Sequence, residues 1–474
     1  MLVWGAVIVR RGGLLAGCMV VLLAGIIFGP PFFSLAGGPM PITIDRVLLG
    51  LLVIGYLFYR QLGWTEKRPM TAADAVALSL MCVLTINVFT HDWKLNRSQP
   101  LSYLVFFWFM PLAIYWVARH ATIGKRGMMM LFGTFAALGV YLAVTAVCEA
   151  KGRWELVVPQ YIVSLKFTEF LGRGRGPLLN PPGNGVLMAL CLACGLMAWP
   201  RVGRNGRVAI ACGFAPILLL GMYYTLTRSV WMGAAAALAV VVGLSMPSRW
   251  RMPVVACTMI ASVVTVAVNW ESLLAFKRDK NLTAAETADS TTLRPIFLYV
   301  ALEMFRDRPI MGCGLAHYMD EQKPYLHDRS TELVLAKARP YVQHNAVLSL
   351  LVETGIAGLS AFLLLIALWL REAWKLWRCT SAPLWKRQSG LVFLALMAGY
   401  LPNSMFHDTT IIAMMNMTLF FWAGVVVNLA TEPVALAEND DRSSADAQVE
   451  REWFGQAEPQ AEPAAPVQGV IVKR

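Results

Sequence analysis

Residues 346–370 read AVLSLLVETGIAGLSAFLLLIALWL, an apolar run in which Glu353 is the one charged residue. An α-helix rises about 1.5 Å per residue, so a run of this length can cross a hydrocarbon core roughly 30 Å thick. Because lipid offers no hydrogen-bond partners, a crossing segment has to satisfy its backbone groups internally, as a helix does. The stretch therefore predicts a transmembrane helix.

Similar runs recur along the chain. Hydrophobic residues make up 57% of the 474 positions, charged residues only 15%, and the mean hydropathy is +0.56. Ordinary soluble domains carry about 25% charged residues. The composition predicts an all-α, polytopic integral membrane helix bundle of about twelve transmembrane helices, the first of them retained because no small-residue cleavage site ends it. The predicted spans are 14–29, 42–59, 73–90, 101–118, 128–148, 185–200, 207–225, 229–246, 252–268, 346–370, 389–404 and 410–430.

Basic residues are concentrated in alternate connections between these runs, and short loops rich in Lys and Arg stay in the cytoplasm. The opposite short connections hold only Arg46, Lys94, Arg97 and Arg228. This asymmetry predicts cytoplasmic termini, with two long segments, 149–184 and 269–345, on the outer face. The predicted cytoplasmic set is Arg10, Arg11, Arg60, Lys67, Arg68, Arg119, Lys125, Arg126, Arg201, Arg204, Arg207, Arg249, Arg251, Arg371, Lys375, Arg378, Lys386 and Arg387.

The domain organisation follows from the same pattern. Residues 1–430 form one transmembrane unit, and 431–474 form a tail with nine acidic and four basic residues, rich in Ala, Glu, Pro and Gln. Such a composition is typical of a disordered segment, here a cytoplasmic one. The net charge of +12 is mostly topogenic arginine and lysine, so it gives little support to nucleic-acid binding.

Several function classes find little support. The spans are nearly free of ionisable residues, so the buried relay of a coupled transporter is missing. No G-x-x-x-x-G-K-[ST] motif for ATP hydrolysis occurs. Cys191 and Cys194 form a C-x-x-C inside an apolar run, where helix packing is the favoured interpretation over a redox or zinc role. The polar chemistry is therefore expected in the outer segments.

The first outer segment contains LGRGRGPLLNPPGNG, residues 171–185. Glycines let a backbone approach a ligand closely, and Arg173 and Arg175 can bind phosphate oxygens in a bidentate way. Asn180 and Asn184 are the further candidate binding residues. The alternative, favoured by the spacing alone, is a tight turn with solvated arginines at the headgroup level.

Two further arginines are candidates. Arg228 lies in YYTLTRSVWMG, residues 223–233, on the side opposite the topogenic charges; anion binding and snorkelling to headgroups are about equally supported. The segment 289–309 reads DSTTLRPIFLYVALEMFRDRP. Its pattern predicts an outer helix of about three turns, with Pro295 in its first turn and an apolar face. Arg294 would then lie at a helix N-terminus, which favours anions; the alternative is an amphipathic surface helix with an incidental arginine.

The segment YVQHNAVLSLLVETGIAG, residues 341–358, precedes and begins the run quoted first. On a helical wheel, His344 shares one stripe with Gly355 and Gly358. The glycines would let another helix approach closely, so we expect the histidine to face a cleft. The alternative is a histidine satisfied by interfacial water.

These motifs resemble a known family. The spacing H-N-x9-G-x2-G at 344–358 and R-x3-L at 294–298 resembles the signature of the O-antigen ligase family of bacterial membrane glycosyltransferases, which is similar to the O-antigen polymerases. The R-x-G…N-P element in 173–184, the T-x-T-R-S element around Arg228 and RPIMGCGLAHY at 308–318 are also similar to that family.

The resemblance implies a polyprenyl (undecaprenyl) pyrophosphate-linked glycan donor and an acceptor hydroxyl on the periplasmic side of the bacterial inner membrane. It implies no nucleotide sugar, cofactor or metal. Arg228 and Arg294 would then hold the pyrophosphate and His344 would be the base in an inverting transfer. Asn345 would orient a sugar or the imidazole.

The acceptor stays open, because ligation onto lipid A-core, polymerisation of a glycan and transfer to a protein share this scaffold. The spacing from His344 to Gly355 favours a ligase over an O-antigen or exopolysaccharide polymerase. A function from another class is a lipid-linked glycan transporter or flippase. That function needs a polar path through the spans, and the sequence shows few polar residues there.

Overall fold

The computed structural model describes residues 2–35, 41–65, 67–245 and 284–432, together with Pro253 and Ala256. A two-residue antiparallel pair joins Ser34–Leu35 to Ile42–Thr43, and helices dominate the rest. In chain order the helices are α1 (Leu2–Ile27), α2 (Ile44–Gln61), α3 (Ala72–Thr90), α4 (Leu95–Arg119), α5 (Lys125–Ala150), α6 (Pro181–Leu196), α7 (Arg204–Tyr224), α8 (Arg228–Ser245), α9 (Ala284–Asp307), α10 (Ala346–Arg378), α11 (Leu384–Ser404) and α12 (Ala413–Thr431).

The predicted helical membrane bundle is confirmed. Within the described ranges, eight helices are long and apolar enough to cross a bilayer: α3, α4, α5, α6 with the turn after it, α7, α8, α10 and α12. The apolar part of α1, Gly12–Ile27, and the helices α2 and α11 occupy three more predicted spans. The span predicted at 252–268 lies outside the described residues apart from Pro253 and Ala256, and so does the tail from 433.

Side-chain caps and a proline set where two of the helices begin. Asn180 precedes α6, and its side-chain oxygen accepts from the Gly183 amide at 2.8 Å, while Pro181 takes the first helical position. Asn345 caps α10 in the same way. Gly183 in the first turn of α6 lies against Ile412, Gly233 near the start of α8 lies against Gly399 near the end of α11, and Asn345 before α10 binds Met405. The helices α6, α8 and α10 therefore all begin at the end of the bundle where α11 finishes.

The long helix α10 is broken at Gly355, which has a φ of +64° that side chains rarely adopt. The break opens the backbone to the loop that follows α9. Ile356 and Ala357 donate to the carbonyls of Pro309 and Ile310 at 2.9 and 3.2 Å. A Cβ at Gly355 would lie 2.3 Å from the Ile310 carbonyl oxygen, so only glycine fits here.

The two glycine predictions need a correction. Gly355 does permit a close approach, but the approaching backbone belongs to the loop after α9 and not to another helix. A Cβ at Gly358 would meet the Thr354 side chain of the preceding turn, 2.0 Å away. The kink at Gly355 is the physical reason, because it ends the continuous helical stripe on which the prediction depended.

The helix before this loop also differs from its prediction. α9 begins at Ala284 and not near residue 293, so Pro295 lies inside the helix and Arg294 is not at its N-terminus. The preceding segment supplies alanines and glutamate, which are good helix formers. The predicted apolar face is confirmed, since Phe297 and Val300 are buried, and the end of the helix just before Arg308 and Pro309 is confirmed as well.

We propose that the end of the bundle carrying Arg228 and Asn345 faces outward. Lys323 lies in the loop after α9 with 60% of its side chain exposed. A Lys323→Cys variant should therefore react with a membrane-impermeant maleimide in intact spheroplasts, above the background of the native cysteines. Arg204→Cys, at the exposed start of α7 on the opposite end, is the control that should react only after lysis. The reverse labelling pattern would overturn the orientation.

Candidate active site

The start of α10 is fixed against the connection between α11 and α12, residues 405–410, called here the 405–410 turn. The Asn345 side-chain oxygen accepts from the amides of Val347 and Leu348 at 2.9 and 3.1 Å, and its amide group donates to the Met405 carbonyl at 3.0 Å. One side chain therefore caps the helix and binds the turn. This places the preceding residue, His344, beside the 405–410 turn.

His344 itself is not part of α10. It precedes the cap residue, with a φ of +46°, and its side chain is exposed. The helical-wheel placement predicted from the sequence is therefore wrong, because the helix begins after the histidine and is broken again at Gly355. His344 lies at the N-terminal end of this segment, outside the packed core, and its predicted orientation towards a cleft stays a prediction.

A buried carboxylate lies next to this imidazole. Asp408 accepts from the Thr410 amide at 3.0 Å and from the Thr410 hydroxyl, and Ser349 in the first turns of α10 also hydrogen-bonds to it. Burial raises the pKa of Asp408, whereas those hydrogen bonds and the positive charge of a protonated His344 lower it. The arrangement is an exposed histidine in electrostatic contact with a buried, hydrogen-bonded acid.

Helix α9 brings an arginine to the same turn. The guanidinium carbon of Arg294 lies 4.5 Å from the ring centroid of Phe406, a cation–π distance. Phe297, one helical turn further on, packs edge-on against His344 with ring centroids 5.8 Å apart. The two residues singled out by the signature spacing, Arg294 and His344, are therefore brought together although 50 positions separate them.

Arg228 lies at the same end of the bundle. It is the first residue of α8, and its side chain is exposed. Five residues later, a Cβ on Gly233 would lie 2.7 Å from the Gly399 carbonyl and 2.9 Å from the Asn403 side chain, so α8 lies directly against the antiparallel α11. Five helical residues span about 7.5 Å, which raises Arg228 to the level of the 405–410 turn.

The N-termini of α6, α8 and α10 lie at this same end of the bundle. The helix dipole makes such termini favourable for negative charge, and Asn180 and Asn345 already accept from first-turn amides of α6 and α10. Two exposed arginines, Arg228 and Arg294, add full positive charges there. The electrostatics of this end therefore suit a ligand with several negative oxygens.

The other two predicted arginines are buried, so the interpretation of solvated arginines in this segment is wrong. Arg173 donates to the Thr225 carbonyl at 3.2 Å and to the Thr227 hydroxyl at 2.7 Å. It thereby fixes the residues immediately before Arg228.

Arg175 forms a fully buried ion pair with Glu149, with 3.0 Å between Nε and Oε1. It also donates to the carbonyls of Phe167, Glu169 and Ile162. Its guanidinium is directed at protein acceptors, and this geometry favours a structural role for Arg175 over ligand binding.

Asn180 and Asn184 also contact protein groups. Asn180 caps α6, and the fully buried Asn184 donates to the Gly174 carbonyl at 3.0 Å. A Cβ on Gly183 would touch Ile412 at 3.2 Å, so this segment packs beside the residues that follow the 405–410 turn. The two asparagines hold the backbone of their own segment, and their predicted ligand contacts stay a prediction.

Sequence reasoning missed Asp408 and its partner Ser349. The available signal was the polar stretch FHDTT, residues 406–410, between two apolar runs. Lysine and arginine in short connections determine orientation, whereas an acidic residue there carries no topological meaning.

The comparison with known families adds an independent finding. The O-antigen ligase family model matches residues 213–363, which include Arg228, Arg294, His344 and both glycines but not Asp408. The resemblance derived from the motifs is thereby confirmed, and the match supports a ligase- or polymerase-type function in membrane glycan processing. No curated protein matches the chain significantly.

Proposed function

We propose that this protein transfers a glycan from a polyprenyl (undecaprenyl) pyrophosphate carrier to an acceptor hydroxyl on the periplasmic face of the bacterial inner membrane. One observation carries the proposal: Arg294 and His344 meet at the 405–410 turn beside Asp408. A positive group for a leaving pyrophosphate and a group able to take a proton therefore share one exposed site.

The chemistry is a single displacement. The acceptor oxygen bonds to the anomeric carbon as the carbon–oxygen bond to the pyrophosphate breaks, and the bonding electrons leave with the pyrophosphate. Arg228 and Arg294 stabilise the charge that develops on the phosphate oxygens. The acceptor proton passes to the neutral imidazole of His344. Attack from the side opposite the leaving group inverts the anomeric configuration.

Asp408 and Asn345 act as positioning residues in this scheme. The Asp408 carboxylate stabilises the imidazolium that forms when His344 takes the proton, and Ser349 and Thr410 hold the carboxylate. Asn345 has its side chain engaged in the helix cap and in the bond to Met405. We therefore assign it the orientation of the neighbouring His344 and not direct contact with a sugar.

The identity of the acceptor decides between two reactions. A lipid A-core acceptor makes the protein a ligase, and a second lipid-linked glycan makes it a polymerase. The residues at the 405–410 turn act on the donor and on the attacking hydroxyl, so they serve both reactions equally. The H-N-x9-G-x2-G spacing favours the ligase.

The proposal predicts a new glycosidic product when the purified protein in detergent micelles is mixed with a lipid-pyrophosphate glycan and a candidate acceptor, with no nucleotide sugar added. Mass spectrometry of the acceptor fraction measures it. Lipid A-core and a second lipid-linked glycan are tested in separate reactions, which distinguishes ligase from polymerase. Micelles have no leaflets, so a flippase would leave donor and acceptor unchanged in both.

A further inference from the structure

A third aromatic ring lies beside His344 and Phe297 at the candidate active site. The ring centroid of Tyr341 is 6.3 Å from that of His344 and 6.3 Å from that of Phe297, and the other two centroids are 5.8 Å apart. The three rings therefore form one compact cluster that includes the imidazole. The displacement proposed above involves the histidine of this cluster but not the tyrosine.

Tyr341 is held in place by its backbone, and its side chain is open to solvent. Its amide donates to the carbonyl of the buried Ala338 at 2.9 Å. The tyrosine is 43% exposed, whereas Phe297 is 5% exposed. The ring planes of Phe297 and His344 are inclined by 70° and 51° to the tyrosine ring, so neither neighbour stacks flat on it. The structure thus presents an aromatic surface to a ligand directly beside the imidazole.

A sugar ring is a ligand that suits such a surface. One side of a pyranose carries mainly C–H groups, and its hydroxyls point outward from the rim. The face of an aromatic ring is the negative end of its quadrupole, which attracts the weakly positive hydrogens of C–H groups. The phenol hydroxyl of tyrosine can also exchange hydrogen bonds with a sugar hydroxyl. A serine or threonine side chain has no ring face to offer.

The neighbours of Tyr341 indicate which of the two sugars it contacts. In the proposed reaction His344 takes the proton of the acceptor hydroxyl, so that hydroxyl has to lie within hydrogen-bond distance of the imidazole. The guanidinium of Arg294, which holds the leaving pyrophosphate, lies over the ring of Phe406. The ring neighbours of Tyr341 are instead Phe297 and His344. Because the attacking and leaving oxygens lie on opposite sides of the anomeric carbon, the tyrosine beside the base belongs to the acceptor side.

We propose that Tyr341 binds the C–H face of the acceptor sugar, so that the attacking hydroxyl belongs to a saccharide and not to a protein side chain. This inference rests on the proposed function and narrows its acceptor. A lipid A-core acceptor and a second lipid-linked glycan both present a sugar ring, so a ligase and a polymerase both fit. The contact is made equally before and during the transfer, so it contributes to acceptor binding and not to the chemical step.

The test is steady-state kinetics of the purified full-length protein in detergent, with the saccharide acceptor that wild type uses. Tyr341→Ala should raise the KM for the acceptor about tenfold, the effect of losing one aromatic contact, and leave kcat and the KM for the donor at their wild-type values. Tyr341→Phe keeps the ring and should bind the acceptor nearly as wild type does. Tyr299→Ala is the matched control, because Tyr299 lies about 200° around α9 from Phe297 and donates to Asp328 at 2.6 Å. Its acceptor KM should be that of wild type.

An unchanged acceptor KM in a folded Tyr341→Ala enzyme would overturn the inference, and so would a fall in kcat alone or a higher KM for the donor alone. If the alanine variant does not fold, Tyr341→Leu is measured instead, because leucine fills space without a ring face. Transfer by wild type to a serine or threonine peptide, but to neither saccharide acceptor, also refutes the inference. A wild-type protein that forms no product with any acceptor refutes the proposed function itself and this inference with it.

Discussion

Replacing His344 by alanine should lower the rate of glycan transfer by about 10²–10⁴, the usual contribution of general acid–base catalysis. The donor should still bind, because Arg228 and Arg294 remain. The wild-type rate should fall as the pH drops through the imidazole pKa, ordinarily near 6.5, because only the neutral ring accepts a proton. The measurement is the pH dependence of product formation by both proteins. A His344→Gln enzyme that keeps the wild-type rate and its acid limb would exclude the histidine as the base.

Asp408→Asn distinguishes a positioning role from a merely structural one. The exchange keeps the size of the side chain and removes its charge. Without the neighbouring carboxylate the imidazolium is less stable, so the acid limb of the pH profile should move to lower pH, and the rate should fall by less than in His344→Ala. If the acid limb does not move, Asp408 has only a structural role in the 405–410 turn.

Arg228→Lys and Arg294→Lys should each cost most of the activity while the protein still inserts and folds. Lysine keeps the charge but loses the planar fork that binds two phosphate oxygens. A lost hydrogen bond between charged groups is worth about 1.5–3 kcal/mol, which corresponds to roughly 10–100-fold in rate. The assay is initial velocity at saturating acceptor, with detergent-solubilised yield as the measure of folding.

Arg306→Lys provides the matched control for Arg294. It lies on the same helix, is 70% exposed and pairs with Glu303 on the surface, so its exchange should leave the rate unchanged. Near-normal turnover in Arg228→Lys or Arg294→Lys would remove that arginine from the pyrophosphate site. An equal loss in Arg306→Lys would point to a general effect on α9.

The membrane bundle was readable from the sequence because it depends on a local property. The runs at 73–90 and 346–370 are long enough to cross a bilayer whatever their neighbours are, and they form α3 and α10. Asparagine at 345 and proline at 181 are local signals in the same sense, since each fixes a helix start through its own backbone.

What the sequence did not reveal depends on long-range contacts. Asp408 lies near His344 only because α10 and α11 pack side by side. The hydrophobic periodicity of the sequence does not show which helices are neighbours. The break at Gly355 exists because the loop after α9 supplies the hydrogen-bond partners that a continuous helix would have provided. Pro295 is a good first-turn signal in isolation, but the residues before it extend the helix and change the environment of Arg294.

We propose that this protein breaks the bond between glycan and carrier instead of moving the intact lipid across the membrane. Proteoliposomes that contain the lipid-pyrophosphate glycan and an acceptor lipid allow both outcomes to be measured in one sample. We expect one glycosylated acceptor for each polyprenyl pyrophosphate released, with the anomeric configuration inverted relative to the donor. Intact donor that changes leaflets without any release of polyprenyl pyrophosphate would contradict it.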